Sequence, residues 1–238
     1  MSATHPSFRR NIGGMDPERR VDPVIGWRVW NLSEGHDGPV LRPAGSGTDE
    51  WPRRRPLEAR CTVPRVLTGR RRRHQAPDVA CRCGIHASDS LDVVARGWPA
   101  WPPAPVIGRV ALWGSIVAHE RGWRARFAYP DRLRLVCIGC AWIEPGPGVP
   151  SVVHAFRKRL YTLCEEHAGG FRIPDGRAST PTHEDPRALQ GRLLETYAID
   201  LLPAEPLAHL YGRPPAPEPP PYFPAIRLMP AARSDGEP

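Results

Sequence analysis

The sequence predicts a mainly β protein with a few helices (α+β), built as a small antiparallel sheet or a partly open barrel. Apolar and polar residues alternate over several short segments, which is typical of strands with one buried face. The 31 prolines and 22 glycines bring the chain close to the composition of loop-rich proteins. An apolar fraction of 40%, including eight tryptophans, still provides for a core.

The two ends of the chain are predicted to be disordered. Residues 1–22 are polar and unpatterned, and residues 203–238 contain eleven prolines. No apolar run follows Arg9 and Arg10, and the longest apolar stretch, VALWGSIVA, is too short to span a bilayer. We therefore expect a cytoplasmic protein with no membrane partner. In that reducing compartment the six cysteines are expected to be metal ligands or core residues before they are disulfides.

A β-rich domain is predicted over residues 23–137. Its first segment, VIGWRVWNL, alternates and predicts a strand over residues 24–32. Three apolar residues are expected on one face of this strand: Ile25, Trp27 and Val29. HDGPVLRP then predicts a turn and a second short strand that ends near Trp51. Further along, Ser88 is predicted to cap a short helix over residues 89–95.

The most regular pattern lies in residues 106–137, VIGRVALWGSIVAHERGWRARFAYPDRLRLVC. It predicts a meander of three strands, with a first turn at Glu120 to Gly122 and a second at Pro130-Asp131. Four apolar residues of the middle strand share one face: Trp123, Ala125, Phe127 and Tyr129. Arg124 and Arg126 point to the other face.

The part after the meander is predicted to contain more helix. Residues 138–170 are interpreted as a metal-binding knuckle followed by a helix that Ser151 caps and that runs to about Ala168. Its apolar stripe consists of Val153, Phe156, Leu160, Cys164 and His167. A helical extension is predicted over residues 171–202, with a helix at roughly 185–200 supported by its own apolar stripe. That stripe consists of Leu189, Leu193 and Tyr197.

A first candidate metal site has the spacing Cys61-x12-His74-x6-Cys81-x-Cys83. Three cysteines and one histidine are an accepted ligand set for structural zinc. The alternatives are a core cysteine with a solvated histidine, or a redox pair of Cys81 and Cys83, which is disfavoured because a Cys-x-Cys disulfide closes a small, strained ring. His86 would be a fifth donor, and we expect it not to be a ligand.

A second candidate metal site has the spacing Cys137-x2-Cys140-x23-Cys164-x2-His167. The first two ligands lie in a C-I-G-C turn directly after a predicted strand, where Gly139 is expected to supply the tight backbone. The other two stand three residues apart and therefore share one face of the predicted helix. The alternative is that Cys164 and His167 are ordinary core residues. The sequence thus predicts Zn²⁺ at two sites that stabilise the fold.

The positive charge of the chain is concentrated in residues 53–73, which hold nine arginines and one acid and so account for the whole formal charge of +8. The candidate phosphate-contacting residues are Arg53, Arg54, Arg55, Arg70, Arg71, Arg72 and Arg73. Guanidinium groups suit phosphate oxygens, so we expect contact with nucleic acid, DNA or RNA, without sequence specificity. The alternative is a solvated segment that has no partner.

Two other functions are compatible with the sequence. One is a protein-interaction adaptor in which zinc only holds the fold. The other is a zinc hydrolase, in which a metal with an open position activates water beside His86 or Glu120. The sequence contains no nucleophile elbow, Walker loop, H-E-x-x-H or deaminase motif. We therefore predict a protein that acts by binding and not by catalysis.

Several motifs resemble a family of uncharacterised bacterial proteins with the pattern C…H-x-A-P…C-x-C-G-I-x-A, then L-W-G-x-V-x-E-H-E-x-G-x-R-A…A-Y-P. The matching residues are Cys61, His74 to Pro77, Cys81 to Ala87, Leu112 to Gly114, His119-Glu120, Arg124-Ala125 and Ala128 to Pro130. Ala118 stands where the family pattern has an acid, and His86 where it has tyrosine. The resemblance covers roughly residues 24–137. It implies a shared fold and no particular function.

Overall fold

The computed structural model of the chain describes residues 22–44, 50–61, 74–96, 104–171 and 179–211. Three predictions fall largely or wholly outside these ranges. They concern the disordered N-terminal segment, the four arginines from Arg70 to Arg73, and the proline-rich tail, of which only residues 203–211 are described.

The described residues form a mainly antiparallel sheet with short helices, which confirms the predicted α+β class. The strands are β1 (Val24–Gly35), β2 (Gly38–Pro43), β3 (Leu57–Glu58), β4 (Ile85–Ser88), β5 (Val106–His119), β6 (Gly122–Leu135), β7 (Val152–Phe156), β8 (Arg159–Leu163), β9 (Thr180–Pro181) and β10 (Asp200–Leu201). The helices are α1 (Leu91–Arg96), α2 (Ile138–Trp142), α3 (Glu165–Ala168), α4 (Pro186–Tyr197) and α5 (Ala208–Tyr211). Within these ranges no helix has the length and apolar character needed to cross a membrane.

Four strands pair in a ring, as expected for a partly open barrel. β1 pairs with β5, β5 with β6, and β6 with β4. The ring closes where β4 meets β1 through the single pair of Trp27 and Ser88. The long β5 changes register between Trp113 and Ile116, where Gly114 adopts a φ of +77°, a conformation that side chains with a Cβ rarely take. This bulge lies in the part of β5 between its pairing with β1 and the β5–β6 turn.

The predicted second turn of the meander is wrong, because β6 continues through it to Leu135. Val110 pairs with Pro130 and Arg109 with Arg132, so Asp131 is an extra residue in a β-bulge. A bulge tolerates proline, since the ladder hydrogen bond that proline cannot donate is interrupted there anyway. The first turn is confirmed, because β5 ends at His119 and β6 begins at Gly122.

The predicted helix from Ser151 to Ala168 is also wrong, except for its last turn. The segment forms the β7–β8 hairpin, and only the four residues of α3 are helical. The hairpin turns at Arg157, which has a φ of +55°. β8 extends the sheet by pairing with β1 at Leu32 and Leu160. A stripe of apolar residues at helical spacing is compatible with either structure, and the sheet edge offered by β1 decides between them.

The structure also differs from two smaller predictions. The second strand ends at Pro43, well before Trp51. Ser88 is the last residue of β4, and the helix it was expected to cap is capped by Ser90, whose hydroxyl accepts a hydrogen bond from the Val93 N–H at 3.3 Å.

Helix α4 confirms the predicted helix at roughly 185–200. Its stripe of Leu189, Leu193 and Tyr197 is fully buried in the largest apolar cluster, together with Trp30 and Trp51. The Tyr197 hydroxyl accepts a hydrogen bond from the Leu41 N–H at 2.9 Å and donates one to the Trp51 carbonyl at 3.0 Å. The segment is therefore packed on the sheet as part of the main core.

Candidate metal centres

The first cluster brings together the four predicted donors Cys61, His74, Cys81 and Cys83, whose ligand atoms all lie within 4.8 Å of one another. Cys61 follows β3, and Cys81 and Cys83 lie in the loop that leads into β4. The Sγ atoms of Cys61 and Cys81 are 3.8 Å apart, and the His74 Nε2 is 3.2 Å from the Cys83 Sγ. All six cysteines are free thiols, so no disulfide competes with metal binding.

The backbone around the first cluster is shaped by Gly84 and Arg124. Gly84 has a φ of +126°, a conformation that glycine adopts readily, and it turns the chain after Cys83. The Arg124 guanidinium, on β6, donates hydrogen bonds to the carbonyls of Cys81 and Cys83, the latter at 3.1 Å. Arg124 therefore fixes the two-cysteine loop from the neighbouring strand. Its place on the polar face of β6 was predicted, but this contact was not.

His86 does not join the first cluster. It lies on β4 with an exposed side chain, and its Nε2 is 3.1 Å from the carbonyl oxygen of Arg82. The structure thus places it apart from the four donors, as expected. His119 and Glu120, the other residues considered for catalysis, lie at the β5–β6 turn.

The second cluster brings together Cys137, Cys140, Cys164 and His167, which are all buried and again have their ligand atoms within 4.8 Å of one another. The Sγ atoms of Cys140 and Cys164 are 3.7 Å apart. The His167 Nδ1 lies 3.0, 3.4 and 3.5 Å from the Sγ atoms of Cys164, Cys140 and Cys137. One imidazole nitrogen thus faces three sulfurs.

Short helical turns position these donors. Cys137 and Cys140 flank the start of α2, and Cys164 immediately precedes α3, in which His167 lies. Gly139 is needed for a reason other than the predicted one. A Cβ at this residue would lie 2.3 Å from the ring carbons of His167, so glycine allows the imidazole to pack directly against the backbone.

Glu144 completes the second cluster, and sequence reasoning missed it. Its Oε1 lies 3.0 Å from the Nε2 of His167, on the side of the ring that faces away from the sulfurs. A carboxylate that accepts the second N–H of a ligating histidine fixes the ring and its tautomer, and makes the ligand nitrogen more basic. Glu144 follows α2 closely, so the knuckle supplies both ligands and this supporting contact.

The thiols of each cluster differ in acidity. In the first cluster a hydrogen bond from the backbone N–H of Cys83 lowers the pKa of Cys81 to about 7, whereas burial raises the pKa of Cys83 to about 11. In the second, a hydrogen bond with the Cys140 thiol lowers the pKa of Cys137 to about 5 and raises that of Cys140. Because thiolates and not thiols bind metals, an incoming ion must displace the remaining protons.

We expect the substitution Glu144→Ala to weaken metal binding at the second cluster about 10- to 100-fold, because the supporting carboxylate is lost while all four donors remain. Competition with a chromogenic chelator should then release one ion per chain at a correspondingly lower chelator concentration. Glu166→Ala is the matched control, since Glu166 is an exposed acid on the same helix as His167. Equal metal affinity in the two variants would show that the Glu144 contact is incidental.

The fold and these clusters define the class of the protein: a mainly antiparallel β protein with two Cys₃His groups positioned to bind metal ions. The chain matches no protein-family model, no curated protein and no solved structure. The resemblance noted over residues 24–137 accordingly stays a prediction.

Proposed function

We propose that the chain is a zinc-stabilised binding protein that contacts the phosphates of nucleic acid through its arginine-rich segment, residues 53–73. Both metal ions are structural in this proposal. The single observation that carries it is the geometry of the first cluster, which joins the two ends of the stretch richest in arginine.

The identity of the metal is inferred from the donors. Three thiolates and one imidazole are a set that suits Zn²⁺. Two sulfurs bound to one tetrahedral zinc at about 2.3 Å lie about 3.8 Å apart, and a sulfur and a nitrogen about 3.5 Å apart. The Sγ–Sγ separations of 3.8 and 3.7 Å fit these values, as do two Sγ–N distances of 3.4 and 3.5 Å in the second cluster. The two other Sγ–N distances, 3.2 and 3.0 Å, are shorter. Four protein donors at each cluster favour a closed structural site over the hydrolase alternative, which requires an open position.

Residues 62–73, the second part of the arginine-rich segment, are flanked by two donors of the first cluster. Cys61 and His74 are both donors there, so one metal ion ties together the two ends of residues 62–73. These twelve residues contain five arginines and no acid. Fixing both ends before binding reduces the conformational entropy that is lost on binding. A concentrated positive charge also attracts a polyanion by releasing its counterions.

Arg53, Arg54 and Arg55 differ in whether their guanidinium groups are already held by hydrogen bonds. The Arg53 guanidinium donates hydrogen bonds to the carbonyls of Asp37 and Gly38, at 3.0 and 3.1 Å. Arg54 donates to the Glu195 carbonyl at 3.1 Å. Arg55 is exposed. The proposed contact therefore depends mainly on Arg55 and Arg70 to Arg73, while Arg53 and Arg54 connect this region to the sheet and to α4.

We expect replacement of Arg70 to Arg73 by serine to weaken binding to DNA and RNA to a similar extent across sequences. The slope of the logarithm of affinity against the logarithm of salt concentration should flatten by up to about 0.9 per lost phosphate contact on duplex DNA. Fluorescence anisotropy at several salt concentrations measures both effects.

A charge-matched pair of variants provides the control. Arg71 and Arg72 replaced by serine should lower the affinity, whereas Lys158 and Arg159 replaced by serine, at the exposed β7–β8 turn, should not. Equal effects would mean that only net charge matters. No binding by the wild-type protein at low salt would overturn the proposal and favour the protein-interaction adaptor.

A further inference from the structure

A second site is suggested by a pocket of about 440 Å³ beside the β1 strand. β2 and β4 both pair with the same edge of β1, the former from Trp30 onward and the latter at Trp27. Between them, Arg28 and Val29 have no ladder partner on this edge among the described residues. The pocket occupies this gap and reaches the β5–β6 turn.

The polar lining of the pocket is basic. Arg28, His86, His119 and Arg121 contribute to its wall, and no aspartate or glutamate does so within the described residues. The rings of His86 and His119 are 6.3 Å apart, centre to centre. Four basic side chains from three segments of the chain therefore converge on one space. None of them is a donor in the two metal clusters.

The guanidinium of Arg28 uses only some of its hydrogen-bond donors. Its guanidinium donates to the carbonyl of His86, but its Nε is buried and has no hydrogen-bond partner in the part of the chain that the structure describes. Burial lowers the pKa of Arg28 to about 10. A partly buried cation whose buried Nε has no acceptor is unfavourable unless a counter-charge lies near it. An anion in the pocket would supply that charge.

His119 has a ring nitrogen available for a ligand. The His119 Nδ1 accepts a hydrogen bond from the Arg121 N–H at 3.3 Å, so the Nε2 carries the proton of the neutral ring and can donate. The lining also includes apolar side chains, among them Trp27, Val93 and Val94. A ligand that fits this mixed lining has an anionic head and an apolar or aromatic body.

We propose that this pocket binds a small organic phosphate, with the phosphate at Arg28, Arg121 and His119 and the apolar body against Trp27 and Val94. Two guanidinium groups and an imidazole N–H match the several acceptor oxygens and the double charge of a phosphate monoester. None of the residues that line the pocket belongs to the arginine-rich segment, and the proposal does not depend on nucleic-acid binding.

Isothermal titration of the zinc-loaded full chain with adenosine 5′-monophosphate tests the proposal, alongside phenyl phosphate, adenosine, inorganic phosphate and benzoate. We expect both organic phosphates to bind at least tenfold more tightly than the three other probes. Failure of both to bind at millimolar concentration would overturn the proposal. Tighter binding of benzoate than of phenyl phosphate would overturn its choice of phosphate.

Variants locate the binding. Arg121→Ser, at an exposed turn, should lower the affinity for adenosine 5′-monophosphate about tenfold or more, since a charge-assisted hydrogen bond is lost. Arg28→Met should do the same, with metal content and thermal unfolding as checks on folding. Arg159→Ser is the control and should have no effect. Loss of binding on replacing Arg70 to Arg73 instead would place the ligand on the arginine-rich segment and refute the pocket.

Discussion

Protein purified without a chelator should contain two zinc ions per chain, and their removal should unfold it. The second cluster is part of an apolar core together with Ile138, Leu163 and Phe171. Without a metal, its three thiols and one imidazole would be left in that core. Structural zinc contributes on the order of 10 kcal/mol to folding, comparable with the whole free energy of unfolding of a typical domain. Elemental analysis and circular dichroism before and after chelation measure both quantities.

Cys164→Ser separates the contributions of the two sites. This variant should retain about one ion per chain, because the first cluster keeps its four donors. A zinc content near zero in wild-type protein that stays folded with chelator present would contradict the prediction. The clusters would then be ordinary core and surface thiols.

The second large effect is expected at the first cluster, where Cys83→Ser should release one zinc ion and unfold the β4 region, whereas His86→Tyr should keep both ions and the fold. Cys83 is buried and faces the imidazole of His74 at 3.2 Å. His86 lies on β4 and faces the Arg82 carbonyl instead. A four-donor site also does not need a fifth ligand. Metal analysis with hydrogen exchange of the β4 amides distinguishes the two variants.

The opposite outcome at this cluster would be equally informative. If His86→Tyr lost the ion while Cys83→Ser retained it, the site would consist of two cysteines and two histidines. The position of Gly84, whose φ of +126° separates Cys83 from the following strand, would then have to change on metal binding.

Both ligand sets could be predicted from the sequence because they depend on residue type and short spacing. Cys81 and Cys83, Cys137 and Cys140, and Cys164 and His167 are close along the chain, so any compact local fold keeps each pair together. Few other residues bind soft metals, which limits how the pairs can combine. The class of fold also followed from local patterns, since alternation in β1 and in the β5–β6 hairpin reflects one buried face.

The sequence pattern did not predict the correct structure where it was compatible with two different ones. Residues 151–168 have apolar side chains at helical spacing, yet the pairing of Leu160 with Leu32 of β1 makes the segment a hairpin. This changes how the second cluster is built, because Cys164 and His167 lie in a short helical turn and not at the end of a long helix. Pro130 has no backbone N–H to donate, and it is accommodated by a bulge opposite Val110 and not by a turn.

By itself, then, the sequence determined the residues of the two candidate metal clusters, the predominance of strands and the concentration of positive charge in residues 53–73. Only the tertiary structure brought Arg124 to the carbonyls of the first cluster, across 43 residues from Cys81, and Glu144 to the ring of His167, 23 residues away. It alone placed Arg28 and His119 around one pocket. The physical reason is that strand pairing between distant segments sets these contacts, and pairing depends on which edge is free once the other strands have packed.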